Sequence, residues 1–531
     1  MPNQPLTNKF LIHNLKNRQT EKFRFVYNLI SRGAIFEGAG MTCREDEDFP
    51  EGVQRLIDLL GEPEEGELNF AGGRKEMSRI AALKELKRLE DLGIINKSEM
   101  RGWVNTHVHT NESFSIFRSP TEAVWKAYRE GMEIFGINDH YTIAGHKEFR
   151  EACGILGLKA TFSIEALAMC EEARIKGERY NDPENPGRMR RSLRERYRKM
   201  TDKASLILRR LHPSINLTFD DVLKFTPHGN VTERHIAQAM DYIITKDLPD
   251  INQRREFLKK LLSVEIPIED LSSSGKLQDL IRSKLLKAGG PSYVEEDPEA
   301  FPSLEEMVSL FREYGAIPTY PVLGNPVTEK EGNLDALFNE VEKSGIYAIE
   351  VIPKRNTEER LIEILEAAEK HCFPIFNGTE HNTKRMEPLV DKFSKDPRFI
   401  PIFRRGAHLL LGHQFLSIYA GVGYIDEEGG LTFKDRNFGR AFFSLIGRIT
   451  WSEDTLEWFL NIGRERVFKL ALGIYATLDG AEHEWTVKQG FRMPKETIDE
   501  VNLENEKVYF TSESAKNIFK NRVKEFFVRK N

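Results

Sequence analysis

Between Trp103 and Phe376 the chain alternates short apolar runs with stretches of helical periodicity, and no other feature restricts its fold as tightly. The apolar runs predict strands at Trp103–Val108, Glu133–Ile137, Lys159–Ile164, Ala316–Tyr320, Tyr347–Ile352 and Phe373–Phe376, with Ala407–Leu411 as a further candidate. Helix signals fill several of the intervals. Ser119-Pro120-Thr121-Glu122 is a capping box with proline at the first helical position, and Gly131 is the matching stop. Ser303-Leu304-Glu305-Glu306 repeats the device, with Gly315 as the stop. Strands separated by helices cross over and pair in parallel, so the expectation is a parallel α/β fold, either a barrel or a doubly wound sheet. Barrels of this class gather reactive side chains at the C-terminal ends of their strands.

The remaining chain divides around this region. A length of 531 residues exceeds one ordinary domain. Residues 1–100 read as a helical extension, with Val53, Leu56, Ile57 and Leu60, then Ile80, Leu83, Leu86 and Leu89, at helical spacing. Residues 101–414 carry the alternation, interrupted over 171–300 by a mainly helical insertion. Residues 415–531 form an extension expected to pack on the barrel. Its closing helix, Ser512 to Val528, offers Ile518, Phe519, Val523, Phe526 and Phe527 for docking.

Composition narrows the function classes. A net charge of −6 gives no general attraction to nucleic acid or to an anionic membrane. Cys43, Cys153, Cys170 and Cys372 are scattered without a C-x-x-C pair, as suits a reducing compartment. The segment Met1–Arg18 is polar and basic, and no run approaches the roughly 20 apolar residues of a membrane span. The expected location is the cytoplasm.

Four of the thirteen histidines, His107, His109, His140 and His146, fall within one forty-residue stretch. His107-Val108-His109 closes the first predicted strand, whose two-residue period turns both imidazoles to one face. Asn138-Asp139-His140 closes the second and Glu165 the third; Glu380-His381 follows the sixth, after Phe376-Asn377-Gly378. Imidazoles and carboxylates without thiolates suit zinc, manganese or iron and leave positions open for water.

These segments resemble the PHP (polymerase and histidinol phosphatase) superfamily. Val104-Asn105-Thr106-His107-Val108-His109-Thr110 is similar to its first motif, and Gly136-Ile137-Asn138-Asp139-His140 through Gly145 to its second. Ser163-Ile164-Glu165 is similar to its G-x-E motif, Thr232-Glu233-Arg234-His235-Ile236-Ala237 to T-R-P-H-x-A, and Gly378-Thr379-Glu380-His381-Asn382 to the closing G-S-D-x-H. The resemblance covers roughly residues 101–390 and implies a distorted (β/α)7 barrel. It implies one to three divalent ions held by His107, His109, His140, Glu165, Glu380 and His381. Asp139 would be a ligand or would fix a histidine tautomer. Three departures point to fewer than three ions: Thr319-Tyr320-Pro321 replaces A-H-P, Asn185-Pro186-Gly187-Arg188 replaces a histidine motif, and the closing motif is one residue short.

The activity so implied is a phosphoesterase acting on a small phosphorylated molecule through metal-activated water. His235, or His413 beyond the apolar run Leu409-Leu410-Leu411, would donate a proton to the leaving group. From Arg188 to Arg210 there are ten Lys or Arg against Glu195 and Asp202, a run that a solvated helix face also explains. Arg188 beside a Pro-Gly turn, Arg355 after the fifth predicted strand, and Tyr320 are the candidate substrate contacts. The alternatives are a free-standing nuclease and a metal- or ligand-binding protein with a degenerate site.

Overall fold

The computed structural model describes residues 51–62, 78–165, 185–226, 229–295, 303–322, 324, 327–426, 428–478 and 483–530. The chain forms two compact units that divide between Lys97 and Ser98. In the first, helix Glu51–Leu59 buries Val53, Leu56 and Leu59, and helix Arg79–Asp91 buries Ala82, Leu83, Leu86 and Leu89. The Ser78 hydroxyl accepts from the Ala81 amide and so starts the second helix.

The second unit is built on two parallel three-stranded sheets. β1 (Trp103–Val108), β2 (Met132–His140) and β3 (Lys159–Glu165) lie in sequence order. Helices Pro120–Arg129 and His146–Leu156 make the crossovers. β4 (Thr319–Val322), β5 (Ala348–Val351) and β6 (Ile375–Asn377) repeat the arrangement, with helices Leu334–Lys343 and Glu358–Lys370 between them. A parallel bridge from Val108 to Glu380 sets the sheets side by side. The resulting order is β3-β2-β1-β6-β5-β4.

Both predicted caps are present. Ser119 accepts from Glu122, Ser303 and Glu306 form a reciprocal capping box, and Gly131 and Gly315 take positive φ just past the helix ends. The sheet interiors are aliphatic, with Val104, Ile134, Ile349, Val351 and Ile375 packed against Phe338, Leu361, Ile364 and Phe403.

One expected strand is a helix. Ala407–Leu411 lies inside helix Ile400–Tyr419, so the proposed domain boundary after residue 414 also falls within that helix. A five-residue apolar run has no periodicity that separates strand from buried helix. Here Phe403, Ala407, Leu409 and Leu416 continue a buried helical face, and Gly406 lets it approach the backbone at Ile375. The helix bridges the outer strands. Gln414 bonds the backbone of Ala160 and Phe162 on β3 at 3.1 Å each, and His413 bonds Gly315 just ahead of β4. Among the described residues no strand pairing joins β3 to β4, and no closed barrel is found among them.

The described part of the insertion is helical and has its own core, centred on Met200, Leu208, Ile236, Met240, Leu258 and Ile281. Helix Asn185–Leu211 begins where the Pro-Gly turn at Pro186-Gly187 was expected, and the Arg188 side chain lies outside the described residues. The C-terminal extension shares a core with helix Ile400–Tyr419 and the strands, through Phe376, Leu409, Phe442, Phe443, Phe459 and Phe519.

Candidate metal centre

β1 carries His107 and is followed directly by His109, and β2 and β3 end in His140 and Glu165, paired in register. The strand period brings the two β1 imidazoles together, with their Nε2 atoms 3.1 Å apart. Glu165 Oε2 stands 3.4 Å from His107 Nε2, 3.2 Å from His109 Nε2 and 3.7 Å from His140 Nδ1. His107, His109 and Glu165 form a group whose potential ligand atoms all lie within 4.8 Å of one another.

The tautomers follow from the outer partners. His107 Nδ1 faces Glu350, an acceptor, and therefore carries its hydrogen. His109 Nδ1 lies 3.1 Å from Ser113 Oγ, which donates at 2.6 Å to Asp139. Asp139 also accepts from the Thr110 amide and hydroxyl at 2.7 Å each. With the other acceptor sites of the chain so used, both Nε2 lone pairs point inward. Glu165 Oε2 is buried and lacks a hydrogen bond of good geometry. Only a shared proton or a cation reconciles three such atoms. Their separations of 3.1–3.4 Å match those of ligands ~2.0–2.1 Å from one tetrahedral ion, which are about 3.3 Å. The donor set fits a divalent metal.

Electrostatics agree with this picture. Burial opposes charge on His107, but Glu350 and Glu165 outweigh it and raise its pKa well above the usual value. Burial and the nearby His140 push His109 down to about 3. Burial works against the Glu165 carboxylate, yet the surrounding imidazoles hold it well below the usual range. The His109 side chain is 0% exposed, while those of His140 and Glu165 are 23% and 31% exposed. Access is therefore from the β2–β3 side.

Other sequence candidates lie elsewhere. Glu380 stands at the strand ends, but its carboxylate pairs with Arg355 and accepts from Asn382 at 3.0 Å. His381 places Nδ1 on Thr379 Oγ1 at 2.8 Å and Nε2 on the Glu387 carbonyl at 2.9 Å, so neither nitrogen is directed to the cluster. His413 is mid-helix rather than at a strand end; Nε2 bonds Gly315 and Nδ1 accepts from the Tyr424 amide at 3.0 Å. His235 closes the first turn of helix Glu233–Asp247 by accepting from the Thr232 amide. Burial pushes it to about 3, so the ring is uncharged at neutral pH and, with Nδ1 accepting, keeps its single hydrogen on Nε2. Tyr320 lies in β4 and packs, half-buried, on the aliphatic core. Arg355 follows β5 and reaches the strand ends only as the partner of Glu380.

Sequence reasoning missed Glu350, Ser113 and Thr110. A lone carboxylate inside the apolar strand Ala348–Val351 was the available signal for the first. Gly378 makes that contact possible, since a Cβ there would stand 2.3 Å from His107 Cβ and 3.0 Å from Glu350 Oε1.

No protein-family model matches the chain, and no curated protein matches it. Among solved structures, one from Bifidobacterium adolescentis, assigned as a metal-dependent phosphoesterase, is 19% identical with a TM-score of 0.39. It covers 55% of this chain and 93% of its own. An amidohydrolase from Chromobacterium violaceum is 17% identical with a TM-score of 0.37, covering 54% of this chain and 91% of its own. In the order of its motifs the chain resembles the PHP superfamily. At such identities the chemistry has to be read from the side chains themselves.

Proposed function

We propose that the protein is a metal-dependent hydrolase acting on a phosphoester of a small molecule. The observation that carries this reading is the convergence of His107 Nε2, His109 Nε2 and Glu165 Oε2, with the two imidazoles each backed by a fixed partner. When bound, a divalent ion supplies a Lewis acid and an activated water.

The chain's own residues hold and aim that group. Glu350 and the Ser113–Asp139 pair fix the imidazole orientations, so little rearrangement is needed on binding. His140 and Glu165 form the open side, where a substrate oxygen can approach. A phosphoester suits such a centre because phosphoryl transfer needs positioning and charge stabilisation more than covalent catalysis. No leaving-group acid is assigned, since His235 and His413 are both held neutral and turned to backbone partners.

The test is metal content by plasma mass spectrometry on untagged, chelator-free protein, with p-nitrophenyl phosphate as probe. Stoichiometric metal, and turnover that a chelator abolishes and added manganese or zinc restores, is the expected result. Protein that holds no metal and gains no thermal stability from any divalent ion overturns the reading.

A further inference from the structure

The helical insertion meets the strand ends through the segment 229–235, where the motif that begins at Thr232 starts helix Glu233–Asp247. The Asn230 side-chain amide donates to the His140 carbonyl at 2.7 Å and to the Glu112 carbonyl at 3.3 Å. The first carbonyl closes β2. The second belongs to the turn after β1, between His109 and Ser113. His235 sets its ring edge-on to Phe114, with centroids 5.0 Å apart and planes at 84°. Phe114 directly follows Ser113, whose hydroxyl stands behind His109. One short segment of the insertion therefore touches both loops that leave the ligand-bearing strands.

The turn after His140 is held from a second side. The Tyr141 amide donates to the Glu165 carbonyl at 3.0 Å, which keeps β2 and β3 in register past their last paired residues. Tyr141 then takes a φ of +56°. A bulky side chain seldom adopts this backbone, which persists only where the surroundings impose it. Here the surroundings include the insertion, because the half-buried Tyr141 side chain packs against its core. Asn230 thus fixes the carbonyl of His140, and the insertion core fixes the side chain that follows.

His140 is where such support counts. Its Nδ1 lies 3.7 Å from Glu165 Oε2, and its ring centroid is 4.5 Å from that of His109. It nevertheless stands outside the tight group formed by His107, His109 and Glu165. A small displacement at this open edge decides whether the imidazole reaches that group. Centres of this kind depend on the residues that orient their ligands as well as on the ligands.

We propose that the helical insertion is an integral part of the metal centre, with Asn230 and Tyr141 as positioning residues that hold His140 ready to join His107, His109 and Glu165 around the ion. The inference rests on the metal-centre reading. Coupling between two sites is reciprocal, so an ion bound at the strand ends also tightens the insertion.

The experiment compares full-length wild type with Asn230→Ala and Tyr141→Gly, each checked for native circular dichroism, metal-free and loaded with cobalt(II). Glycine accepts the positive φ without strain, so the second variant removes the anchoring ring and keeps the turn. Cobalt affinity, from competition with a chelating dye, should fall about tenfold in each variant, the lower end of the range for loss of an outer partner. The visible absorption of the bound cobalt should change with it. In wild type, cobalt should slow amide hydrogen exchange in helix Glu233–Asp247, and Asn230→Ala should lose that slowing. Wild-type affinity and spectrum in both variants overturn the proposal. So does faster exchange in Asn230→Ala by the same factor with and without cobalt, which would mean that Asn230 supports only the insertion. Turnover of p-nitrophenyl phosphate separates the readings. Variant effects on cobalt in a protein that hydrolyses nothing support this inference and remove the hydrolase reading. Hydrolysis with unaltered cobalt binding in both variants removes this inference alone, and a wild type that binds no cobalt removes both.

Discussion

His107 on β1 and Glu350 on β5 pair directly across the segment that follows β6, where Gly378 leaves room for the contact. One side of the imidazole is thereby given to a carboxylate, and the other is delivered to Glu165 and His109. The pairing joins the two sheets at the point where their strand ends meet. It also makes the first histidine a stronger electron donor than an unpartnered imidazole.

Glu350→Gln tests this link. The amide keeps the shape and the hydrogen-bond acceptor but removes the negative charge behind His107. Metal affinity should fall about 10–100-fold, the range usual for loss of an outer partner. Competition against a chelating dye gives the measurement. Unchanged affinity would mean that the Glu350 contact serves packing alone.

Replacing both His107 and His109 by alanine should remove metal binding and hydrolysis while the fold survives. The two side chains lie at a strand end, and the aliphatic cores under the sheets are made by other residues. Metal analysis and circular dichroism on the same sample decide the matter. Retained turnover in the double variant would place the active site elsewhere.

The sequence made the cluster legible where local period and long-range position agree. His107 and His109 share a face by strand period, and His140 and Glu165 end neighbouring strands that pair in register. Glu380-His381 obeyed the same placement rule but failed at the next level. Both residues sit at positive φ, and their side chains turn to Arg355, Thr379 and the Glu387 carbonyl. No strand period applies in such a turn, so position along the chain does not give direction. Glu350 was hidden for a related reason, since its partner is 243 residues away in sequence. The helix Ile400–Tyr419 was misread because its apolar run is as short as a strand.

Acid should destabilise the protein through histidines that are buried and neutral. Burial holds His413 at about 4, below the usual 6.5, with both ring nitrogens on backbone groups. A group depressed in the folded state contributes stability that is fully present above its unfolded pKa. That stability is lost as pH falls through the folded value, here between about 6.5 and 4. The depression corresponds to on the order of 3 kcal/mol. His413→Gln should therefore flatten the slope of stability against pH in this window, read from denaturant melts of metal-free protein. It should leave kcat for any phosphoester nearly unchanged relative to native protein, because the ring bridges Gly315 and Tyr424 rather than touching the cluster. A slope as steep as that of wild type would assign the acid sensitivity to other groups.

Glu484 gives the C-terminal extension a specific mechanical role. Its carboxylate meets His408 at 3.0 Å and Lys159 at 3.2 Å, pairs with Arg404, and lies 3.7 Å from Lys530. Glu133 binds the same cations, with Lys530 at 3.0 Å and Arg404 at 3.0 Å. Glu133 and Lys159 belong to the starts of β2 and β3, so the network clamps the extension to the strand ends opposite the metal ligands. Glu484→Gln leaves Arg404, Lys159 and Lys530 to share Glu133 in a largely buried setting. Breaking a buried charge pair on one side costs about 3–5 kcal/mol, which should appear as a lower denaturant midpoint. Metal affinity should stay at the wild-type value, because the strands separate this network from His107 and His109. A stable variant with weakened metal binding would reverse the argument and make the extension part of the centre rather than its support.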